Sequence, residues 1–257
     1  MLLTDTHAHL YSAKFSSDRE MMMNRAFEEG VKRIFLPAID SESHNDLIAL
    51  ADAYPENCFA MMGLHPCSVN PQTIEDEMRE IEYWHSIRKF VAVGEIGIDL
   101  YWDKTHVELQ KEIFARQVDL AKKLNLPIII HSRNAFKECY AIVKEKQDGM
   151  LKGIFHCFSD GIAEAQQVVD LGGFMMGIGG VLTFKNSGVD KVVEHFGLEQ
   201  FVLETDAPYL APMPYRGKRN ESAYIIHVAN KMAEIKKCPV EEVATQTTEN
   251  SKRIFGS

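Results

Sequence analysis

Cysteine is scarce in this sequence, and long apolar segments are missing. The five cysteines are an odd set without a CxxC pair, which argues against a disulfide framework and favours a reducing compartment. No uninterrupted apolar stretch approaches the roughly 18 residues of a membrane span, and no signal-peptide pattern opens the chain. We therefore expect a cytoplasmic protein with no membrane partner and no obligate protein partner.

Positive charge is scarce as well. Lysine and arginine number 28 against 37 aspartates and glutamates, which gives a formal net charge of −9. Proteins that bind nucleic acid usually carry a basic surface, so the chain as a whole should not attract a polyanion. A phosphodiester substrate would need cations at the site itself, and bound divalent metal ions could supply them. The composition therefore does not exclude a metal-dependent nuclease.

Short apolar runs alternate with amphipathic segments along the sequence, which is the pattern of repeated βα units around a parallel sheet. Eight such runs occur, at residues 2–6, 32–37, 58–63, 90–95, 127–131, 153–156, 173–178 and 201–205. The length of 257 residues is close to the roughly 250 typical of an eight-stranded barrel. We predict an α/β protein with a (β/α)8 TIM-barrel fold, forming a single domain over residues 1–257, with helices after the eighth run closing one end.

Side chains that can bind metal stand at the ends of these runs. Five of the ten histidines and two acidic residues lie there: His7, His9, His65, Glu95, His131, His156 and Asp206. In a closed barrel the carboxyl ends of all strands open onto one face, so these distant residues would meet. An open, doubly wound sheet also fits the alternation but would scatter several of them along its edge. The pattern favours the closed barrel.

His7 and His9 are two positions apart, so they point to the same side of a strand and can bind one ion. Glu95 and Asp206 could complete that site. The alternatives are that the two histidines pair by chance, and that Glu95 and Asp206 are acidic partners in buried salt bridges. Asp5 shares the parity of His7 and could either orient a ligating imidazole or be a buried structural residue.

A second ion would be held by His131, His156 and Glu95, with the two oxygens of Glu95 bridging both ions. Two ions about 3.5 to 4 Å apart activate water and stabilise a phosphoryl-type transition state. The nitrogen and oxygen donors admit Mg, Mn or Zn. The sequence thus predicts a TIM barrel of the metal-dependent hydrolase type with two divalent ions.

Cationic residues near the same face are candidates for substrate binding. Arg133 lies two residues beyond His131, and its guanidinium could bind a phosphate or a carboxylate. His65 has a similar position, and the loop after the eighth run contains Arg216. A structural hydrogen bond, or an ordinary solvated loop, is the alternative in each case. The other histidines fall on predicted helices and are expected to be solvated or capping residues: His44, His85, His106, His195 and His227.

Several ordered motifs give the chain a resemblance to a known family. The sequence contains DTHAHL, GLHP, GEIGID, PIIIHSR, HCF, LETDAP, PYRGKRNE and TTENSKRIF, and with these it resembles the TatD family of metal-dependent deoxyribonucleases over essentially its whole length. Three positions depart from the family pattern: Tyr11, Cys67 and Lys137. None of them removes a candidate metal ligand.

The resemblance implies a (β/α)8 barrel of the amidohydrolase type. It implies that the six metal ligands are His7, His9, Glu95, His131, His156 and Asp206. It also implies that Glu95 and Asp206 are the carboxylates most needed for catalysis, and that His65 and Arg133 face the substrate phosphate.

The leading hypothesis is a divalent-metal-dependent deoxyribonuclease, with Asp206 accepting a proton from the attacking water. From the resemblance we expect a 3′ to 5′ exonuclease acting on single-stranded DNA. The alternative is an amidohydrolase-like metal enzyme acting on an amide, ester or lactone, including an aminoacyl-tRNA ester, because a fold does not fix a substrate. Several cations around the mouth of the barrel would favour a polyanion, whereas Arg133 alone would favour a small acid. A metal-dependent binding protein without turnover is a third possibility.

Overall fold

A computed structural model describes residues 1–102 and 104–256 of the chain. In this part, eight strands alternate with helices. The strands are β1 Leu3–Asp5, β2 Val31–Pro37, β3 Cys58–Met61, β4 Val93–Asp99, β5 Ile128–Arg133, β6 Gly153–Phe155, β7 Phe174–Ile178 and β8 Phe201–Leu203. The helices are α1 Arg19–Glu28, α2 Ser41–Ala53, α3 Ile74–Ile87, α4 Val107–Leu124, α5 Phe136–Lys146, α6 Ile162–Asp170, α7 Val189–His195, α8 Ile225–Lys236 and α9 Val240–Phe255.

All neighbouring strands pair in parallel, in the orders β1-β2-β3 and β4-β5-β6-β7-β8. Backbone hydrogen bonds join the two sheets at both seams. The Met62 N–H donates to the Ala92 carbonyl at 3.2 Å between β3 and β4, and the Thr6 N–H donates to the Leu203 carbonyl at 3.0 Å between β1 and β8. The strands therefore form a ring, and the predicted (β/α)8 architecture is confirmed.

Each predicted apolar run corresponds to one strand, but the fourth is displaced. The run at residues 90–95 predicted a strand that ends at Glu95, whereas β4 covers Val93–Asp99. The strand continues because Gly97 and Asp99 pair with His131 and Arg133 of β5. Glu95 therefore lies inside a strand, where its side chain is 2 % exposed.

The interior of the barrel is filled by one apolar layer. It consists of Phe35, Met61, Ala92, Ile129, Ile154, Met175 and Val202 around the ring, with Ile254 of α9 below them. Alternate residues of a strand point to the same side, so the next inward position of β5 is His131, and His156, directly after β6, continues the same alternation. The apolar layer thus forms the floor on which the polar layer rests.

The helices cover the outside of the barrel with an apolar face. On α4 the buried residues recur every three or four positions, at Ile113, Phe114, Gln117, Val118 and Ala121, which is the spacing of one helix face. The helix ends where Asn125 adopts a left-handed conformation with φ of 53°, a common way to terminate a helix. No helix within residues 1–102 and 104–256 has the length and hydropathy needed to cross a membrane.

The prediction that His44 is a solvated or capping residue is wrong. His44 lies on α2 and is 1 % exposed. It shares a helix face with Leu47 and Ala51, three and seven positions later, which are also buried. Burial lowers the pKa of the His44 imidazole, and the side chain is part of the packing of α2.

The apolar layer inside the barrel gives a stability prediction. Ile129→Ala should lower the free energy of unfolding by about 2 to 5 kcal/mol, since it removes buried methylenes and leaves a cavity. The matched control is Ile87→Ala on α3, where the side chain is 56 % exposed and the change should stay within about 0.5 kcal/mol. Urea unfolding measures both, and equal effects would contradict the assignment of Ile129 to the interior.

Candidate metal centre

The polar layer lies at the carboxyl ends of the strands, at the base of an open cavity of about 780 Å³. Imidazole and carboxylate side chains from β4, β5 and the segments after β1, β3, β6 and β8 line its base, whereas aromatic and cationic side chains line its mouth. The cavity walls include His9, His65, Glu95, His131, His156 and Asp206. His7 lies below them and is fully buried.

One oxygen of Glu95 faces a first group of donor atoms. Glu95 Oε2 lies 3.1 Å from His7 Nε2 and 3.4 Å from His9 Nε2. Asp206 Oδ1 lies 3.8 Å from His7 Nε2 and 3.6 Å from His9 Nε2. The four residues predicted for the first metal site are therefore brought together.

The other oxygen of Glu95 faces a second group. Glu95 Oε1 lies 2.8 Å from His131 Nδ1, 3.4 Å from His156 Nε2 and 3.5 Å from His65 Nε2. His65 was predicted to bind substrate, but its ring nitrogen is as close to Glu95 as that of His156. The second group thus contains the two predicted histidines and a third.

The donor atoms have the spacing that a metal ion requires. Three sets of ligand atoms lie within 4.8 Å of one another: His7, His9 and Glu95; His7, His156 and Asp206; and His65, Glu95 and His131. Donors placed around a tetrahedral ion at 2.0 to 2.2 Å are about 3.4 Å apart, which agrees with the distances around Glu95. Histidine, glutamate and aspartate groups are therefore positioned for metal binding.

The orientation of His9 beside His7 is compatible with a bound cation. Their Nε2 atoms are 3.3 Å apart. The Tyr11 hydroxyl donates to the Pro37 carbonyl at 2.7 Å and therefore accepts from His9 Nδ1 at 3.0 Å. With its proton on Nδ1, neutral His9 turns an unprotonated Nε2 toward His7. A positive ion between such nitrogens and the two carboxylates would satisfy all of them.

Three residues outside the predicted set fix the orientation of the imidazoles. Tyr11 contacts His9, Asp99 Oδ2 lies 2.8 Å from His131 Nε2, and Glu204 Oε1 lies 3.1 Å from His156 Nδ1. Such contacts hold ligating histidines in one tautomer and orientation. The sequence did carry a signal for the two acids, because a charged residue in an apolar strand needs a partner.

The space for Glu204 is provided by the neighbouring strand. A Cβ atom on Gly177 of β7 would lie 2.1 Å from Glu204 Oε2. Only glycine therefore fits at position 177 when the Glu204 side chain is in its observed position. The backbone N–H of Cys157 donates to Glu204 Oε1 at 2.6 Å. Glu204 is fully buried and is thus held beside His156.

The charges of the polar layer are strongly coupled. Burial would raise the pKa of Glu95, but His65, His7 and His156 hold it well below its usual value. Burial would lower the pKa of His156, but Glu204 and Glu95 raise it to about 10. The carboxylates thus stabilise positive charge in this layer, which is also what a metal ion needs.

Asp206 differs from Glu95 in its surroundings. It follows β8 in a left-handed conformation with φ of 56°, and its side chain is 14 % exposed toward the cavity. Burial raises its pKa to about 6, although His156 and His9 oppose the shift. A carboxylate with such a pKa, at the edge of the donor group, is suited to exchange a proton with a molecule in the cavity.

The sequence left two roles open for Asp5, and the structure shows the structural one. Its carboxylate accepts hydrogen bonds from the Thr205 N–H at 2.9 Å, the Thr205 hydroxyl at 2.6 Å and the Ser222 hydroxyl at 2.6 Å. It also accepts from the His7 backbone N–H at 3.3 Å. Asp5 therefore ties β1 to the segment after β8.

The predicted cationic residues lie at the cavity mouth. Arg133 and Arg216 both line the cavity, together with Lys218. The guanidinium of Arg216 lies over the ring of Phe184, 4.4 Å from its centroid. Arg219, in the same loop, instead pairs with Asp18 at 2.6 Å. Several cations besides Arg133 therefore surround the opening.

Comparison with known proteins agrees with this geometry. The family described as TatD related DNase matches residues 4–256. The uncharacterized metal-dependent hydrolase YabD of Bacillus subtilis (strain 168) is 39 % identical, with 99 % of both chains covered. The uncharacterized metal-dependent hydrolase YcfH of Escherichia coli (strain K12) is 33 % identical, over 99 % of this chain and 96 % of that protein. The crystal structure of YjjV, a TatD homologue from Escherichia coli K12, superimposes with a TM-score of 0.93 at 31 % identity and covers 99 % of this chain and 98 % of its own.

The contact of Glu204 with His156 gives a prediction about metal affinity. Glu204→Gln should weaken the binding of divalent ions by about 10- to 100-fold, because the neutral amide no longer polarises and orients the imidazole. The control is Glu194→Gln on α7, whose side chain is exposed. Competition with a chromogenic chelator gives the affinities, and circular dichroism checks the fold. Equal affinities for the two variants would show that Glu204 does not act through His156.

Proposed function

The chain belongs to the family of TatD-related DNases, and from this premise we propose that it is a divalent-metal-dependent deoxyribonuclease that shortens single-stranded DNA from its 3′ end. The relatives support a metal-dependent hydrolase. The observation that carries the proposal further is the arrangement around Glu95, whose two oxygens face separate donor groups. Such an arrangement suits the pair of ions used in phosphodiester hydrolysis. The direction of attack rests on the family resemblance.

The proposal includes two divalent ions, which could be Mg²⁺, Mn²⁺ or Zn²⁺. His7, His9, Glu95 and Asp206 would hold one of them. His131, His156 and Glu95 would hold the other, with His65 at its edge. Bound there, the ions would lower the pKa of water and stabilise negative charge on the phosphate.

Asp206 acts in this proposal as the base. Its carboxylate borders the cavity, and its pKa of about 6 leaves it ionised near neutral pH and able to take a proton from water. Glu95 keeps the two donor groups at a fixed separation. Both carboxylates line the cavity, but Glu95 is only 2 % exposed, whereas Asp206 is 14 % exposed and is the better placed to reach a molecule there.

Cationic side chains at the mouth would bind the DNA backbone. Arg133 can bind a phosphate through two parallel hydrogen bonds, and Arg216 and Lys218 line the same cavity. We propose that Arg133 and His65 face the scissile phosphate and that Arg216 contacts a neighbouring one. This local cluster compensates for the net charge of −9.

The same cluster argues against the small-substrate alternative. Arg133 alone would suit a small acid, whereas three cationic side chains line this cavity. An aminoacyl-tRNA ester is also attached to a polyanion and would share the phosphate contacts. Direct comparison of substrates separates these two activities.

Hydrolysis should depend on metal and on a free single strand. With Mn²⁺ added, the protein should degrade a 5′-labelled single-stranded DNA oligonucleotide to a ladder that shortens from the 3′ end. Excess chelator should abolish this, and a blunt duplex should react more slowly. Equal rates with and without chelator would contradict the metal mechanism, and release of an amino acid from aminoacyl-tRNA without cleavage of DNA would support the alternative activity.

Asp206→Asn serves as the matched inactive variant. It should lower kcat on the same oligonucleotide by roughly 10²- to 10⁴-fold, since the amide cannot accept the proton, while the unfolding midpoint stays close to that of the wild type. The control is Asp190→Asn on α7, which changes an exposed carboxylate and should keep full activity. Retained turnover in Asp206→Asn would exclude this residue as the base.

A further inference from the structure

Two large aromatic side chains stand at the cavity mouth directly after β4. Tyr101 is 53 % exposed and Trp102 is 69 % exposed. Their rings are perpendicular, with centroids 4.9 Å apart, and Trp102 lines the cavity. An indole ring left open beside a polar site has apolar surface available for a ligand.

The backbone of these two residues is fixed to the polar layer. Asp99 Oδ1 accepts hydrogen bonds from the N–H groups of Tyr101 and Trp102, each at 2.8 Å. The other oxygen of the same carboxylate lies 2.8 Å from His131 Nε2. Asp99 is fully buried, so the aromatic pair is held at a defined position relative to the donor groups.

A cation accompanies the aromatic pair. The guanidinium carbon of Arg133 lies 4.3 Å from the Tyr101 ring centroid and 5.7 Å from that of Trp102. A phosphate bound by Arg133 would therefore bring the attached nucleotide close to the indole. Aromatic rings combined with cations are the usual means of binding single-stranded nucleic acid, since every base offers a π-face.

Two other rings of the cavity wall are less available for stacking. Phe184 has the guanidinium of Arg216 over its ring at 4.4 Å. Tyr209 has Lys14 Nζ over its ring, also at 4.4 Å. Arg133 lies over the Trp102 ring as well, but farther away, at 5.7 Å from its centroid. Trp102 is also more exposed than Tyr209, at 69 % against 44 %. Trp102 is therefore the best-placed stacking surface.

We propose that Trp102 is the platform on which an unpaired base of the substrate strand stacks, next to the phosphate bound by Arg133. The assignment rests on the proposed nuclease function. Stacking of this kind changes affinity by about 5- to 150-fold per base. It needs a base released from pairing, so Trp102 would select single strands and frayed ends over an intact duplex.

The test compares two oligonucleotides of equal length, one normal and one with abasic residues at its last three positions. Trp102→Ala should raise KM for the normal strand by at least 5-fold and leave KM for the abasic strand unchanged. Trp102→Phe should raise KM for the normal strand by less than Trp102→Ala does. The control is Tyr83→Ala on α3, an aromatic side chain that is 55 % exposed and does not line the cavity. Equal effects of Trp102→Ala on both strands, or none on either, would overturn the platform while leaving the nuclease proposal standing.

A fluorescence measurement separates failure of the platform from failure of the proposed function. The chain has two tryptophans, so Trp84→Phe leaves Trp102 as the sole indole. The emission of this variant should be quenched by deoxyadenosine monophosphate and not by deoxyribose 5-phosphate. If the wild type cleaves neither oligonucleotide, the nuclease proposal fails. Selective quenching by the nucleotide would in that case still identify Trp102 as a base-binding residue. No quenching would overturn the stacking platform as well.

Discussion

The structure depends on one buried carboxylate. Glu95 is placed inside the barrel with 2 % exposure, where an isolated negative charge would be very costly. Its two oxygens are compensated separately, one by His7 and His9 and the other by His131, His156 and His65. Because these imidazoles come from different strands, the carboxylate needs the closed ring, and the ring supplies a site for positive charge.

The sequence predicted those features that depend on short-range periodicity. The eight apolar runs became strands. His7 and His9 lie just beyond β1 and His131 lies inside β5, but these side chains meet those of His156 and Asp206 as expected. The sequence predicted Glu95 as a donor but placed it at the end of its strand, whereas it lies inside β4. The strand extends farther because it pairs with β5. Pairing partners far apart in the chain are not visible in local periodicity.

The residues that the sequence did not reveal act through other residues. Tyr11, Asp99 and Glu204 each contact the second nitrogen of an imidazole, and their contribution depends on register and on the space left by Gly177. His44 was misassigned for a similar reason, because the face that α2 turns inward is set by packing. Sequence patterns thus predicted which imidazoles and carboxylates meet at the base of the cavity, whereas the contacts that orient them required the folded chain.

Local charge outweighs overall charge at the cavity. The chain is acidic, but Arg133, Arg216 and Lys218 surround a cavity whose base would carry divalent ions, which is the pattern expected for a substrate bound by its phosphates. The central claim is that the donor groups facing the two oxygens of Glu95 would each hold one divalent ion, and crystals soaked in Mn²⁺ test it directly through anomalous scattering. The account predicts two anomalous peaks, one at each oxygen of Glu95; a single peak away from Glu95, or none among the six donors, would contradict it.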